Sequence, residues 1–111
     1  MAPATAIDDT FRALGDPTRR RVIEHLRAGP ASMTELSRPF TISLPSLSKH
    51  LGILERSGLV RSSKAGRVRT YRLVPERLRL AEHWLSRQRT LWERRLDQLD
   101  AHLKTLEEDD T

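Results

Sequence analysis

Apolar residues recur at helical spacing in four short blocks, alternate with polar ones in one stretch, and return at helical spacing in a long closing block. The fourth block is the sharpest. Leu47, Leu51 and Leu54 stand at i, i+4 and i+7 and make one stripe, while Pro45, Ser46, Ser48, Lys49 and His50 fall away from it. Ser43 suits an N-cap, and Pro45 lies in the first turn, where its missing N–H costs nothing. Gly58, just after Arg56-Ser57, suits a left-handed C-terminal cap. The pattern predicts a helix over 44–57, greasy behind and small, polar and basic in front. Such an element can pack on a domain while its front enters a DNA major groove. An ordinary amphipathic surface helix has the same signature, so the flanks decide.

On the N-terminal side, Ile7 to Leu14 reads as a first helix, with Phe11 and Leu14 on the side of Ile7 and Asp8 and Asp9 near its start. Gly15 ends it, and Asp16-Pro17 starts a second helix running to about Ala28, which buries Val22, Ile23 and Leu26. Arg19, Arg20 and Arg21 form a basic cluster on that helix, open to solvent or to phosphate. Ser32-Met33-Thr34-Glu35 fits a capping box for a third helix to about Arg38, and Pro39 to Ile42 make the turn. Two short helices across a tight turn, the second basic in front, is the helix-turn-helix order.

On the C-terminal side, residues 59–73 read as a hairpin jointed at Ala65-Gly66-Arg67, with Val68, Thr70 and Arg72 on one face. Lys64, Arg67 and Arg69 are held out as cations that can lie against phosphate or in a minor groove. After Pro75 the chain is helical to about Leu106. Leu78, Leu85, Trp92, Leu99 and Leu106 are spaced by sevens, with Leu96 and Leu103 filling the second seam position; Glu82 and Arg89 interrupt it. A helix of about thirty residues is roughly 45 Å long, more than this chain needs for its own core. It either folds back over its own domain or pairs with a second copy. Pairing is the expectation, through Ile7, Phe11, Leu85, Trp92, Leu96, Leu99 and Leu103.

Composition narrows the chemistry. The 111 residues make one domain, and 37% apolar content with five aromatics leaves a thin core that a shared interface would repair. No run is long enough for a membrane span, and Met1-Ala2-Pro3-Ala4 lacks the order of a signal peptide, so a cytoplasmic location is expected. Without cysteine there is no disulfide or thiolate metal site. The net charge is +5, and between Lys49 and Arg72 seven cations (Lys49, Arg56, Arg61, Lys64, Arg67, Arg69, Arg72) face one acid, Glu55. That imbalance favours a polyanion partner. The acids Glu107, Glu108, Asp109 and Asp110 crowd the end, where fraying is expected. An enzyme is excluded on motifs: no Gly-rich phosphate loop, no cysteine nucleophile, and no histidine in a catalytic pattern with carboxylates.

Leu14-Gly15-Asp16-Pro17-Thr18-Arg19, Ser46-Leu47-Ser48-Lys49-His50-Leu51, Leu54-Glu55-Arg56-Ser57-Gly58-Leu59-Val60, and Gly66-Arg67 followed by Tyr71-Arg72-Leu73 occur in register over residues 7 to 75. Together they make the chain resemble the ArsR family of bacterial winged-helix repressors. The resemblance implies a homodimer with terminal helices at its interface, a recognition helix and wing on DNA, and repression of a promoter, commonly the protein's own. Metal-sensing members carry a cysteine pair before the recognition helix; here Met33 to Arg38 has none. Asp100 and His102 match the start of the family's other metal site, but the chain ends at Thr111 before a second ligand set. His83 stands apart. A metal-independent branch, with no cofactor, is expected.

The resulting expectation is a mostly α fold with a small β-hairpin, in the order α-α-α-α-β-β-α. Residues 7–74 would be the DNA-binding core, 75–106 a dimerisation helix and 107–111 an acidic tail. Double-stranded DNA would be met by Pro45, Ser46, Ser48, Lys49, His50, Arg56, Lys64, Arg67 and Arg69. A winged helix that docks a protein and a repressor sensing metal through a non-cysteine site are the alternatives, and the effector is open.

Overall fold

A computed structural model describes residues 3–109. In order they form α1 (Pro3–Leu14), α2 (Pro17–Leu26), β1 (Ala31–Ser32), α3 (Met33–Ser37), α4 (Leu44–Arg56), β2 (Val60–Ala65), β3 (Val68–Leu73) and α5 (Pro75–Asp109). The strands make one antiparallel sheet in the order β1-β3-β2. The short β1 lies outside the sequence expectation, since two residues, Ala31 and Ser32, show no alternation. They become a strand by pairing with Tyr71 and Thr70. The packed body extends to Ala81, so the first two turns of α5 belong to it; residues from Glu82 onward form a second unit.

α1 starts at Pro3 rather than Ile7. Ala4, Thr5 and Ala6 carry no apolar stripe, but alanine is the best helix former and proline is tolerated in a first turn. Thr10 is fully buried in the same helix because its hydroxyl donates to the Ala6 carbonyl at 2.7 Å.

The cluster Arg19 to Arg21 is structural. Arg19 donates from Nε to the Ala13 carbonyl at 2.8 Å and from Nη2 to that of Arg12 at 3.1 Å; Arg20 Nη1 donates to that of Leu14 at 2.7 Å. Three terminal carbonyls of α1, which have no partner within the helix, are thus covered by guanidinium groups of the next helix. Arg21 donates to the Pro39 carbonyl at 3.2 Å and lies 4.6 Å over the Phe40 ring. Asp16 caps α2 by accepting from the Arg19 N–H at 3.0 Å.

The caps read from the sequence are present. Ser32 and Glu35 make the reciprocal box at 3.1 and 3.0 Å, and Ser43 accepts from the Ser46 N–H at 3.2 Å. At the end of α4 the Gly58 N–H donates to Glu55 at 3.0 Å and the Leu59 N–H to Leu54 at 3.1 Å, with Gly58 at φ 82°. This paired bonding requires a left-handed residue, and Leu54 and Leu59, both fully buried in the core, complete it. Around it Val22, Ile23, Leu26, Leu36, Leu47, Leu51, Leu59, Val60 and Tyr71 close one core.

In the hairpin Ala65 pairs with Val68, so the turn is the two residues Gly66-Arg67 rather than three. Gly66 alone takes positive φ, 63°, as a II′ turn requires at its first central position. The face of Val68, Thr70 and Arg72 is the outer one; Tyr71, on the other, is buried. In α5, Glu107 to Asp109 are helical, so the expected acidic tail is helix as far as Asp109; Asp110 and Thr111 lie outside the described residues.

Candidate nucleic-acid interface

Burial of Leu47, Leu51 and Leu54 turns the opposite side of α4 outward. Pro45, Ser48, Lys49 and Arg56 are exposed there, and Ser46 is half-buried at the edge. Leu44, in the first turn, is 56% exposed. Nothing in its spacing marks it out, since it lies outside the stripe of Leu47, Leu51 and Leu54; an exposed apolar side chain here suits contact with a thymine methyl.

His50 stands at the edge of that outward side. Only 21% of its side chain is exposed, and Nδ1 sits 3.3 Å from Arg19 Nη1 and 3.6 Å from Asp16 Oδ2. Through these contacts it ties α4 to the start of α2. Asp16 feels the same cluster. Its partial burial raises the carboxyl pKa, but the Arg19 N–H and the charges of His50 and Arg19 outweigh that, so it titrates below the ordinary carboxylate value.

The wing carries cations on both faces. Arg61 pairs with Arg72 across the strands and Lys64 with Arg69, two like-charge pairs directly opposite each other. Such pairs cost stability in an isolated sheet. A polyanion lying along the hairpin would reverse that cost. Lys64 and Arg67 are exposed beside the turn. Arg69 donates to the Ser62 hydroxyl at 2.8 Å, and that hydroxyl donates to Glu55 Oε2 on α4 at 3.0 Å. The single acid of the basic run is therefore the post that holds the hairpin to α4. No ion pair among the described residues uses any of the seven cations between Lys49 and Arg72. Among the described residues no group of three or more His, Cys, Asp or Glu could hold a metal, and no helix is long and apolar enough to cross a membrane.

This arrangement has relatives. A helix-turn-helix domain family matches residues 14–63. The HTH-type transcriptional regulator Rv2034 of Mycobacterium tuberculosis is 39% identical over 75 residues, 68% of this chain and 70% of that protein. The transcriptional repressor SdpR of Bacillus subtilis is 30% identical over 79 residues, 71% of this chain and 88% of the repressor. The crystal structure of an ArsR family transcriptional regulator superposes with a TM-score of 0.78 at 46% identity, covering 81% of this chain and 93% of that one. The chain belongs to the ArsR family. It is a winged helix-turn-helix DNA-binding regulator of transcription and not an enzyme. As an ArsR-family protein its α3 and α4 are the helix-turn-helix, and β2 and β3 the wing.

Proposed function

We propose that this ArsR-family regulator acts as a cytoplasmic homodimeric repressor on a two-fold symmetric operator, with its own promoter among its targets. Residues 7–74 would serve as the DNA-binding core and 75–106 as the dimerisation helix. Two copies of α4 enter successive major grooves, so half-sites lie about one helical turn apart, ~10 bp. Pro45, Ser46, Ser48 and Lys49 meet base edges, with the small residues allowing close approach. Arg56, Lys64, Arg67 and Arg69 meet phosphates. The observation that carries this reading is the row of cations on α4 and the wing that no carboxylate among the described residues pairs with. Dimer formation is supported by the exposed leucines and tryptophan of α5, with Ile7 and Phe11 half-buried on α1.

The test is a gel shift of the purified protein on DNA fragments selected from a random pool, across a salt series. Lys49→Ala, if Lys49 reads a base, costs about 1–3 kcal/mol at one operator position. Arg67→Ala weakens binding uniformly and flattens the salt slope by ~1. Base-specific loss in Arg67→Ala would refute the wing assignment, and no duplex binding at low salt would refute the whole reading.

A further inference from the structure

A cleft of about 390 Å³ opens beside the C-terminal end of the recognition helix, lined by Asp9 and Arg12 of α1, Arg19 of α2, and Ile53, Arg56 and Ser57. It is a basic pocket in which three guanidinium groups oppose one carboxylate. Its size falls within the range of small-molecule sites, ~300–1,000 Å³.

The three arginines are held differently. Arg19 is fixed, with Nε and Nη2 on the α1 carbonyls and Nη1 on His50. Among the described residues the Arg12 side chain is tied only to Asp9, at 3.6 Å, with 77% of it exposed. Among the described residues the Arg56 side chain has no hydrogen-bond or ion-pair partner, and its guanidinium folds back over Gly52. A Cβ there would stand 3.3 Å from Arg56 Nη1, so the missing side chain makes room for it. One anchored cation and two adjustable ones lining the same cleft suit an oxyanion with several acceptor oxygens, because guanidinium groups pair with phosphate in forked geometry. The Ser57 hydroxyl is engaged with the Leu54 carbonyl at 2.8 Å, leaving recognition to the arginines.

We propose that this cleft binds a phosphate group. The phosphate comes either from the DNA backbone or from a small phosphorylated molecule that competes with DNA. Arg56 connects the two, since it belongs both to the outward side of α4 and to the cleft. A phosphorylated ligand that draws Arg56 inward takes a cation from the DNA surface. The anion site stands independently of the operator reading, although the competition rests on it.

Inorganic pyrophosphate is the probe, titrated into the full-length protein against sodium chloride at matched ionic strength and followed by the arginine Nε–H resonances. The expected result is saturable binding that moves the signals of Arg12, Arg19 and Arg56. Arg12→Gln should weaken it about tenfold, the loss of one charge-assisted contact, whereas Arg87→Gln on α5 should not. Arg12 is exposed and its carbonyl, not its side chain, accepts from Arg19, so the variant keeps the fold. A duplex gel shift then assigns the source. If Arg12→Gln lowers the salt slope by ~1, the phosphate is the backbone's. If the slope is unchanged while pyrophosphate displaces DNA from the wild type but not from the variant, the ligand is a small molecule. Absence of saturable pyrophosphate binding together with an unchanged slope overturns the site. Lys49→Ala run alongside separates that outcome from failure of DNA binding itself.

Discussion

Residues 5–81 and residues 82–109 carry the same sequence signal and meet different fates. In the body, leucines at helical spacing vanish from solvent: Leu47, Leu51 and Leu54 are 1% exposed or less. In the second unit, Leu85, Trp92, Leu96, Leu99 and Leu103 recur as regularly, yet every residue from Glu82 to Asp109 is exposed, Trp92 at 64%. A periodic apolar stripe states that a face needs covering. It does not state which chain does the covering. That the body closes over its stripe while the long helix has no such cover within its own unit is what supports pairing with a second copy.

The sharpest way to break this contrast is to attack one leucine of each kind. Leu51→Ala opens a cavity in a closed core and should cost about 2–5 kcal/mol, read by urea unfolding. Leu99→Glu should leave the unfolding of the body unchanged and weaken self-association at least ~100-fold, roughly 3 kcal/mol, giving monomers in sedimentation velocity. Dimers that persist in Leu99→Glu and Trp92→Glu would show that the seam is not the interface.

Smaller changes test how the body's elements are joined. Gly58→Ala places a Cβ at a φ of 82° and 2.7 Å from Arg77 Nε. The backbone cost alone is about 1–2 kcal/mol, and Arg77→Ala should restore only the steric part, as read by thermal unfolding. Ser32→Ala removes the reciprocal cap of α3 and should cost about 1 kcal/mol. The least effect is the acid limb of stability. Asp16 has a folded-state pKa below its unfolded one, so its contribution is fully present above about pH 4 and is lost as pH falls through the lower folded value. Asp16→Asn should flatten that limb in a pH series of unfolding midpoints.

Which side of α4 faces outward was legible in the sequence. Pro45, Ser48, Lys49 and Arg56 fall on the outward side of α4 because three buried leucines, spaced at i, i+4 and i+7, dictate which side is inward. Lys64 and Arg67 are exposed because Gly66 sets the turn. The partners of His50 were not legible, for a physical reason: at the edge of the apolar stripe its contacts depend on what α2 offers. Arg19 and Asp16 lie more than thirty positions away in the chain. The linkage of Glu55 through Ser62 to Arg69 was likewise hidden, since it needs the hairpin register before the three side chains come together.

By itself the sequence determined the helices and the hairpin, their caps and the sign of the surface charge. Those features depend on residues within a turn or two of one another, and hydrogen bonds such as Ser32 with Glu35 or Ser43 with Ser46 close over three positions. Only the tertiary structure decided that Arg19 and Arg20 seal the end of α1, that Ala31 and Ser32 become a strand, and that a basic cleft forms beside Arg56. Each of these joins positions far apart in the chain, and a side chain's partner across such a distance is chosen by packing, not by periodicity.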